Sequence, residues 1–407
     1  MSVTPDRPEA ACLIIADISG YTSYLAGVEL DHAQDILADL TDAVVRALRP
    51  AFRLAKLEGD AAFVYAVTDT VDGSALQDTV ERCYFAFRRR LRDIGQASLC
   101  DCNACTYIPR LDLKFVIHHG VIARQRMAGR EELVGREVIV VHRLLKNSVH
   151  ETLGPDAYAL YTDACIRAMG IEDPAVVGLV EHRETYDVVG EVVGWVRDLE
   201  AAWRAEESRA SFKVEPAQTA LSLRYELPAP PAIAWEWLTS PIRRPKWQAG
   251  VIEVQEAPTA GRRGVGTTNH CVHGRDAIVE EIQAWQPPEL LTIRMQMPIP
   301  DTPKFTMSSF LEPTADGAST EVSVRIMRPH NAKERSVLEG LAPMLKTAYE
   351  ASVGPLQAAL REEMAARAAA AAELPPEPDV PVGAGRNVRE PIRAGAGPVD
   401  SGEARSS

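Results

Sequence analysis

Long hydrophobic runs are missing from this chain of 407 residues. No stretch approaches the roughly 20 apolar residues that carry a helix across a bilayer, so no membrane span is expected. Positive charge is also short. Forty-four Lys and Arg against 57 Asp and Glu leave a formal net charge of −13, which argues against a nucleic-acid partner. Cysteine is sparse at seven residues. In a chain without a secretory signature these read as thiols or metal ligands rather than a disulfide frame. The N-terminus puts acids before its apolar stretch and has no cleavage pattern, so it is not a signal peptide and a cytoplasmic location is expected. No internal repeat is visible. What is present is ordinary for globular proteins, 46% hydrophobic and 25% charged residues, over a length that suggests two domains plus extras.

Residues 10–200 intermix strand-like and helix-like segments without regular βαβ repetition, which favours an α+β class. Ala33, Ile36, Leu37, Leu40, Val44 and Leu48 recur at helical spacing, as do Leu76, Val80, Cys83, Tyr84, Phe87, Leu91 and Ile94. Leu111 to His119 reads as a strand, Val138 to Leu145 as a helix and Tyr186 to Leu199 as a strand pair. Residues 201–211 form a charged, helical linker. Residues 212–365 carry a second pattern: a strand at Leu221–Leu227, a helix opened by Pro230 and Pro231, six strand-like runs to Met327, and a long closing helix. Leu338, Leu341, Leu345, Tyr349, Leu356 and Leu360 lie on one stripe of that helix. Pro343 and Pro355 are expected to kink or interrupt it. Residues 373–407 are Ala-, Pro- and Gly-rich and read as a disordered tail.

Chemistry concentrates on two aspartates. Asp17 ends the apolar run Leu13–Ala16, and Asp60 closes Lys56-Leu57-Glu58-Gly59-Asp60 before a second apolar run. Each is a carboxylate at a strand edge, with one amphipathic helix between them. Converging carboxylates suit Mg²⁺ held against a polyphosphate, although Asp before Ser-Gly and a Gly-Asp pair are also ordinary turns.

Four segments taken in order resemble the class III nucleotidyl cyclases: Ala16-Asp17-Ile18-Ser19-Gly20-Tyr21-Thr22, Lys56 to Asp60, Ile117-His118-His119-Gly120, and Glu132-Leu133-Val134-Gly135 continuing to Arg143. The resemblance spans most of residues 11–150 and implies a ferredoxin-like domain. It implies that Asp17 and Asp60 hold Mg²⁺ or Mn²⁺. It also implies that Ser19, Gly20, Tyr21 and Thr22 offer backbone N–H groups to the phosphates of a nucleoside triphosphate. Lys56 and Glu132 match base-recognition positions, and Arg143 matches the transition-state arginine. Such sites form at the interface of a homodimer. Two departures stand out. Ile139 occupies the place of an asparagine and has no hydrogen bond to give, and residues 186–194 lack the expected phosphate-binding lysine.

Cys100, Cys102 and Cys105 form a CxCxxC segment that also marks a divergent bacterial group of cyclase-like domains. Three thiols converge only if the chain turns tightly, and zinc needs a fourth ligand such as His118, His119 or Cys83. A loop of reduced thiols or a redox pair is the alternative. His118 and His119, neighbours on a strand, point to opposite faces and read as structural.

Residues 212–364 resemble the START-like, or SRPBCC, helix-grip fold, also called polyketide-cyclase-like. The likeness rests on the opening strand, Pro231 to Leu238, Pro245-Lys246-Trp247 and the long final helix. It implies a curved antiparallel sheet clasping a helix around an apolar cavity. Met295, Met297, Phe305, Met307 and Phe310 are candidates to line that cavity for a hydrophobic small molecule. His270 and His273 face it from their strand without an acid–base partner. Two readings of the whole follow. One is a cyclase-like signalling protein that binds metal–nucleotide with weak or no turnover. The other is an active adenylate or guanylate cyclase under control of an apolar ligand.

Overall fold

The computed structural model describes residues 8–373 apart from 29, 50, 98–102, 128–129, 209–211, 259–260 and 300–301. The tail beyond 373 therefore lies outside the described residues. In chain order the first half contains β1 (Glu9–Ser19), α1 (Tyr21–Ala26), α2 (Leu30–Leu48), β2 (Arg53–Glu58), β3 (Ala61–Val67), α3 (Gly73–Ala97) and α4 (Asn103–Tyr107). It continues with β4 (Asp112–Met127), β5 (Arg130–Val134), α5 (Arg136–Arg143), α6 (Val149–Leu153), β6 (Tyr158–Thr162), α7 (Asp163–Ala168), β7 (Val180–Tyr186), β8 (Gly190–Asp198) and α8 (Leu199–Ser208).

The first sheet has the order β2-β3-β1-β4-β6-β8-β7, with β5 paired to β4. Its first four strands and helices α2 and α3 form a βαββαβ unit. All three neighbouring pairs, β2–β3, β3–β1 and β1–β4, are antiparallel, which is the ferredoxin-like arrangement. Strand alternation gives the sheet two apolar faces. Cys12, Ile14 and Ala16 of β1 pack with Leu40 and Val44 of α2 and Val80 and Phe87 of α3. Leu13 and Ile15 face the other way, toward Val140 and Val141 of α5. The charged linker begins as helix α8, which belongs to this domain: Trp203 is buried, its ring lies 5.4 Å from that of Phe85, and Glu200 accepts from Tyr84 Oη at 2.9 Å.

The second half contains β9 (Thr219–Leu227), α9 (Pro231–Thr239), β10 (Glu253–Ala257), β11 (Thr268–His273), β12 (Asp276–Gln286), β13 (Leu290–Gln296), β14 (Phe305–Pro313), β15 (Thr320–Met327) and α10 (Ala332–Glu373). Its seven strands follow the order β10-β11-β12-β13-β14-β15-β9, every pair antiparallel. One face of this sheet packs on α9 and on Leu338, Leu345, Leu356 and Leu360 of α10. Contrary to the expected interruption, α10 is continuous through Pro343 and Pro355. Each proline removes a single donor, and the buried leucines on both sides hold the flanking turns in place. The fold is thus α+β in both halves. No helix among the described residues is long and apolar enough to cross a membrane.

The halves meet through an ion-pair cluster on α3. Arg262 donates to Asp78 at 2.6 Å and to both oxygens of Glu81 at 2.8 and 3.0 Å. Trp285 Nε1 donates to Asp78 at 3.0 Å, and the backbone N–H of Arg263 donates to Ser74 at 3.0 Å. Burial pushes Asp78 up to about 6 against the pull of Arg262. Burial acts the same way on Glu81, but Arg262 and Arg197 outweigh it and hold that carboxyl below its ordinary range.

Candidate functional site

Residues Ser19 to Thr22 form the turn from β1 into α1. Gly20 takes φ 84°, and a side chain there would lie 2.7 Å from the Arg110 carbonyl oxygen, so glycine is required twice over. Gly59, at φ 68°, turns β2 into β3. Antiparallel pairing sets Asp17 opposite Ala61, the neighbour of Asp60, and so brings the two aspartates together. Burial first, and the Asp17 charge second, push the Asp60 carboxyl above its ordinary value. The β1–β4 register puts Lys114 opposite Asp17 on the other side, with Nζ 3.2 Å from Oδ2. Among the described residues no third carboxylate, histidine or cysteine joins the pair. Two carboxylates in mutual repulsion fit a hard divalent cation whose remaining positions are filled by water or phosphate oxygens.

A second group lies between β2 and α5. Lys56, Glu58, Ile139, His142, Arg143 and Lys146 line an open groove of about 440 Å³. Helix α5 starts after Gly135, buries Val140 and Val141 against the sheet, and turns Ile139 and Arg143, four residues apart, into the groove. Lys56 Nζ lies 2.8 Å from Glu58 and 3.7 Å from Glu132. His142 Nδ1 donates to the Val138 carbonyl at 2.7 Å and Nε2 meets Glu58 at 3.0 Å. Both ring nitrogens therefore face acceptors, which only the imidazolium satisfies. The bond to Glu58 raises His142 above its ordinary value. The same bond, aided by Lys56, holds Glu58 down at about 2. Arg143 is exposed and has no ion-pair partner among the described residues. Ile139 is 50% exposed and, with Val138, adds an apolar patch to a groove whose charged lining is mostly basic.

The two groups share a sheet face. Asp17 aligns with Leu13 and Ile15, and Lys56 pairs with Phe63, whose ring meets His142 edge-on at 4.9 Å. Neither aspartate lines the groove. The structure thus joins Asp17 with Asp60, and Lys56 with Glu132 and Arg143, as two separate clusters. Sequence reasoning missed Lys114, Glu58, His142 and Lys146. A helical i, i+3 relation to Arg143 was the available sign for Lys146; the other three depend on strand register and on where α5 docks.

His118 is buried. Its Nδ1 meets Thr162 Oγ1 at 2.8 Å and its Nε2 meets Glu137 at 2.7 Å. Burial pulls it below its ordinary value despite the Glu137 partner, so the ring is neutral, donating to Glu137 and accepting from Thr162. His119 bonds the Thr68 carbonyl at 3.0 Å. Cys100 and Cys102, and the side chain of Cys105, lie outside the described residues.

In the second half Met295, Met297, Phe305 and Met307 are buried in one cluster with Trp235, Trp237 and the leucines of α10. Phe310 stands apart from them. Positions 305 and 307 face the helix, so alternation turns 310 to the other face, where the Arg325 guanidinium stacks 4.3 Å from its ring. His270 is exposed, whereas His273 is half-buried beside Gly250.

Residues 218–361 match the family described as polyketide cyclase / dehydrase and lipid transport, and residues 37–152 match one described as a protein of unknown function, DUF2652. An uncharacterized protein of Mycobacterium tuberculosis is 39% identical over 113 residues, covering 28% of this chain. The chain spans about half, 52%, of that relative's length. Solved structures similar to the N-terminal part include a guanylyl cyclase, with TM-score 0.35 and 15% identity over 47% of this chain and 93% of that one. They also include an adenylyl cyclase from P. aeruginosa, with TM-score 0.33 and 13% identity over 47% and 95%. The C-terminal half is therefore a helix-grip domain of the polyketide cyclase and lipid-transport type, joined to an α+β domain built on a ferredoxin-like core.

Proposed function

We propose that this chain is a cyclase-like signalling protein that binds a metal–nucleoside triphosphate at a site completed by a second copy, with weak or no cyclisation. The observation that carries the reading is the separation of the Asp17–Asp60 pair from the Lys56–Arg143 groove, two clusters on one sheet face. That division suits a site whose metal side and base side come from opposite subunits. Asp17 and Asp60 would hold Mg²⁺ or Mn²⁺, and the turn Ser19–Thr22 would offer N–H groups to phosphate oxygens. When bound, the ion neutralises triphosphate charge and activates a ribose hydroxyl. Lys56 and Glu132, already paired, would meet the base edge. Arg143 and Lys146 present positive charge to the phosphates, and the His142 imidazolium keeps Glu58 from opposing it.

Ile139 limits turnover. It lies in the groove one helical turn before Arg143, where it orients nothing by hydrogen bonding. The loss of one such polar contact slows a reaction by roughly 100- to 1,000-fold. The β7–β8 hairpin adds no lysine to compensate. The second domain would take a hydrophobic small molecule against Met295, Met297, Phe305 and Met307, whose flexible methionines can repack around a guest.

Purified protein incubated with ATP or GTP and Mn²⁺ tests the reading. Metal-dependent binding that disappears in Asp17→Ala and Asp60→Ala, with little cyclic product, is the expected result. Rapid formation of cyclic nucleotide would favour the alternative, an active cyclase, for which the intact Asp17, Asp60, Lys56 and Arg143 speak. If neither nucleotide binds, the reading fails.

A further inference from the structure

We infer that the cleft between the two domains is a separate binding site for a small amphipathic anion, with an apolar body and an oxyanion head. The inference does not depend on the nucleotide site or on a ligand inside the helix-grip domain. The cleft measures about 950 Å³, within the range of pockets that take drug-sized molecules. One wall comes from the start of α3 and from the segment after α7. The other comes from α9 and the turn that follows it.

The apolar body follows from the walls. Met169, Val176 and Val177 of the first domain line the cleft, as do Trp235 and Ile242 of the second. Val176 and Ile242 are 58% and 74% exposed, so the cleft presents apolar surface from both domains to solvent.

The head follows from the donors that the ion pairs leave without a partner. Arg262 is taken by Asp78 and Glu81, and Arg263 by Glu256 and Asp72. Arg243 is shared by Glu236 and Glu363. Arg82 and Lys246 also line the cleft, and neither has a carboxylate partner among the described residues; Arg82 spends one N–H on the Ala47 carbonyl at 3.1 Å. Glu172 and Asp173 are the lining acids without an ion-pair partner among the described residues, and both are exposed to solvent. Three lining residues carry buried polar atoms without a hydrogen-bond partner among the described residues: Arg82 Nε, Trp237 Nε1 and Gln77 Oε1. Two of these are donors. Buried groups of this kind are ordinarily satisfied, and a small side-chain adjustment around an oxyanion supplies the acceptor that the donors lack.

Anilinonaphthalene sulfonate, an aromatic anion, serves as the fluorescent probe on the full chain, with decanoate and decanol as competitors of equal tail length. Saturable probe binding is expected, with decanoate displacing it at concentrations about tenfold lower than decanol. Ile242→Asp and Val176→Asp, both at exposed positions and checked for folding by thermal unfolding, are expected to weaken the probe and both competitors about tenfold or more. Lys246→Met is expected to weaken decanoate about tenfold and leave decanol unchanged. Probe binding untouched by both aspartate variants would place the site elsewhere and overturn the inference. Equal competition by decanol and decanoate would overturn the anionic head.

Discussion

Replacing Arg262 with methionine removes the guanidinium that joins the two domains while keeping much of the side chain's length and apolar stem. Asp78 and Glu81, at 7% and 13% side-chain exposure, are then left without their shared cation. Removing one partner of a buried ion pair costs about 3–5 kcal/mol. Two contacts moderate the loss here. Trp285 Nε1 still donates to Asp78, and Arg197 remains 3.1 Å from Glu81. Asp78 is also already raised to about 6, so it can escape part of the penalty by taking up a proton. A loss near the lower end, about 3 kcal/mol, is therefore expected in urea unfolding of the full chain. A double-mutant cycle with Asp78→Asn, which keeps an acceptor for Trp285, should return a coupling of at least about 1.5 kcal/mol. Arg262→Lys should rescue little, because one ammonium cannot reproduce the fork that engages two carboxylates. A change within about 0.5 kcal/mol of the parent, or a coupling that small, would mean that solvent already screens the cluster, and the reasoning would be wrong.

Lys114→Met removes the ammonium that competes with any cation for Asp17, so Mn²⁺ affinity measured by calorimetry without nucleotide should rise about tenfold; no change would count against the two aspartates as a metal pair. The Glu58–His142 bond predicts a stability window. Glu58, lowered from 4.5 to about 2, contributes stability that is present above 4.5 and lost as pH falls through about 2. His142, raised from 6.5, contributes stability that is complete below 6.5 and lost as pH rises through its elevated value. The destabilisation caused by His142→Gln should therefore be largest between about pH 4.5 and 6.5, at roughly 1–2 kcal/mol after allowance for solvent; a difference that stays flat across pH would refute the imidazolium assignment.

The local parts of this molecule were legible because local spacing determines them. Continuous apolar runs at Leu13–Ala16 and Ala61–Val67 marked β1 and β3, and the apolar repeat from Ala33 to Leu48 marked α2. Strand alternation, applied strictly, separates Met307 from Phe310, since an odd step along a strand reverses the face; grouping them ignored the period of two. Pairing partners are a different matter. Asp17 meets Lys114 because β4 lies beside β1 in one particular register, and a shift by one residue would turn every β4 side chain to the opposite face. Nothing within Leu113-Lys114-Phe115 encodes that register; it is set by burying Phe115 and Ile117 against α2 and α3 while Val116 meets α5. The groove was half legible for a similar reason. Arg143 and Ile139 share a helix face by spacing alone, but His142 reaches Glu58 only because α5 docks beside Phe63. The domain junction lies furthest from sequence. Arg262 reads as part of an exposed basic turn, and its carboxylate partners lie more than 180 positions earlier on α3. Those acids are spaced three apart, at 78 and 81, as a solvated helix face would be. Only the docking of the two domains buries them between the halves, which is why a change at Arg262 tests the domain arrangement itself and not the fold of either part.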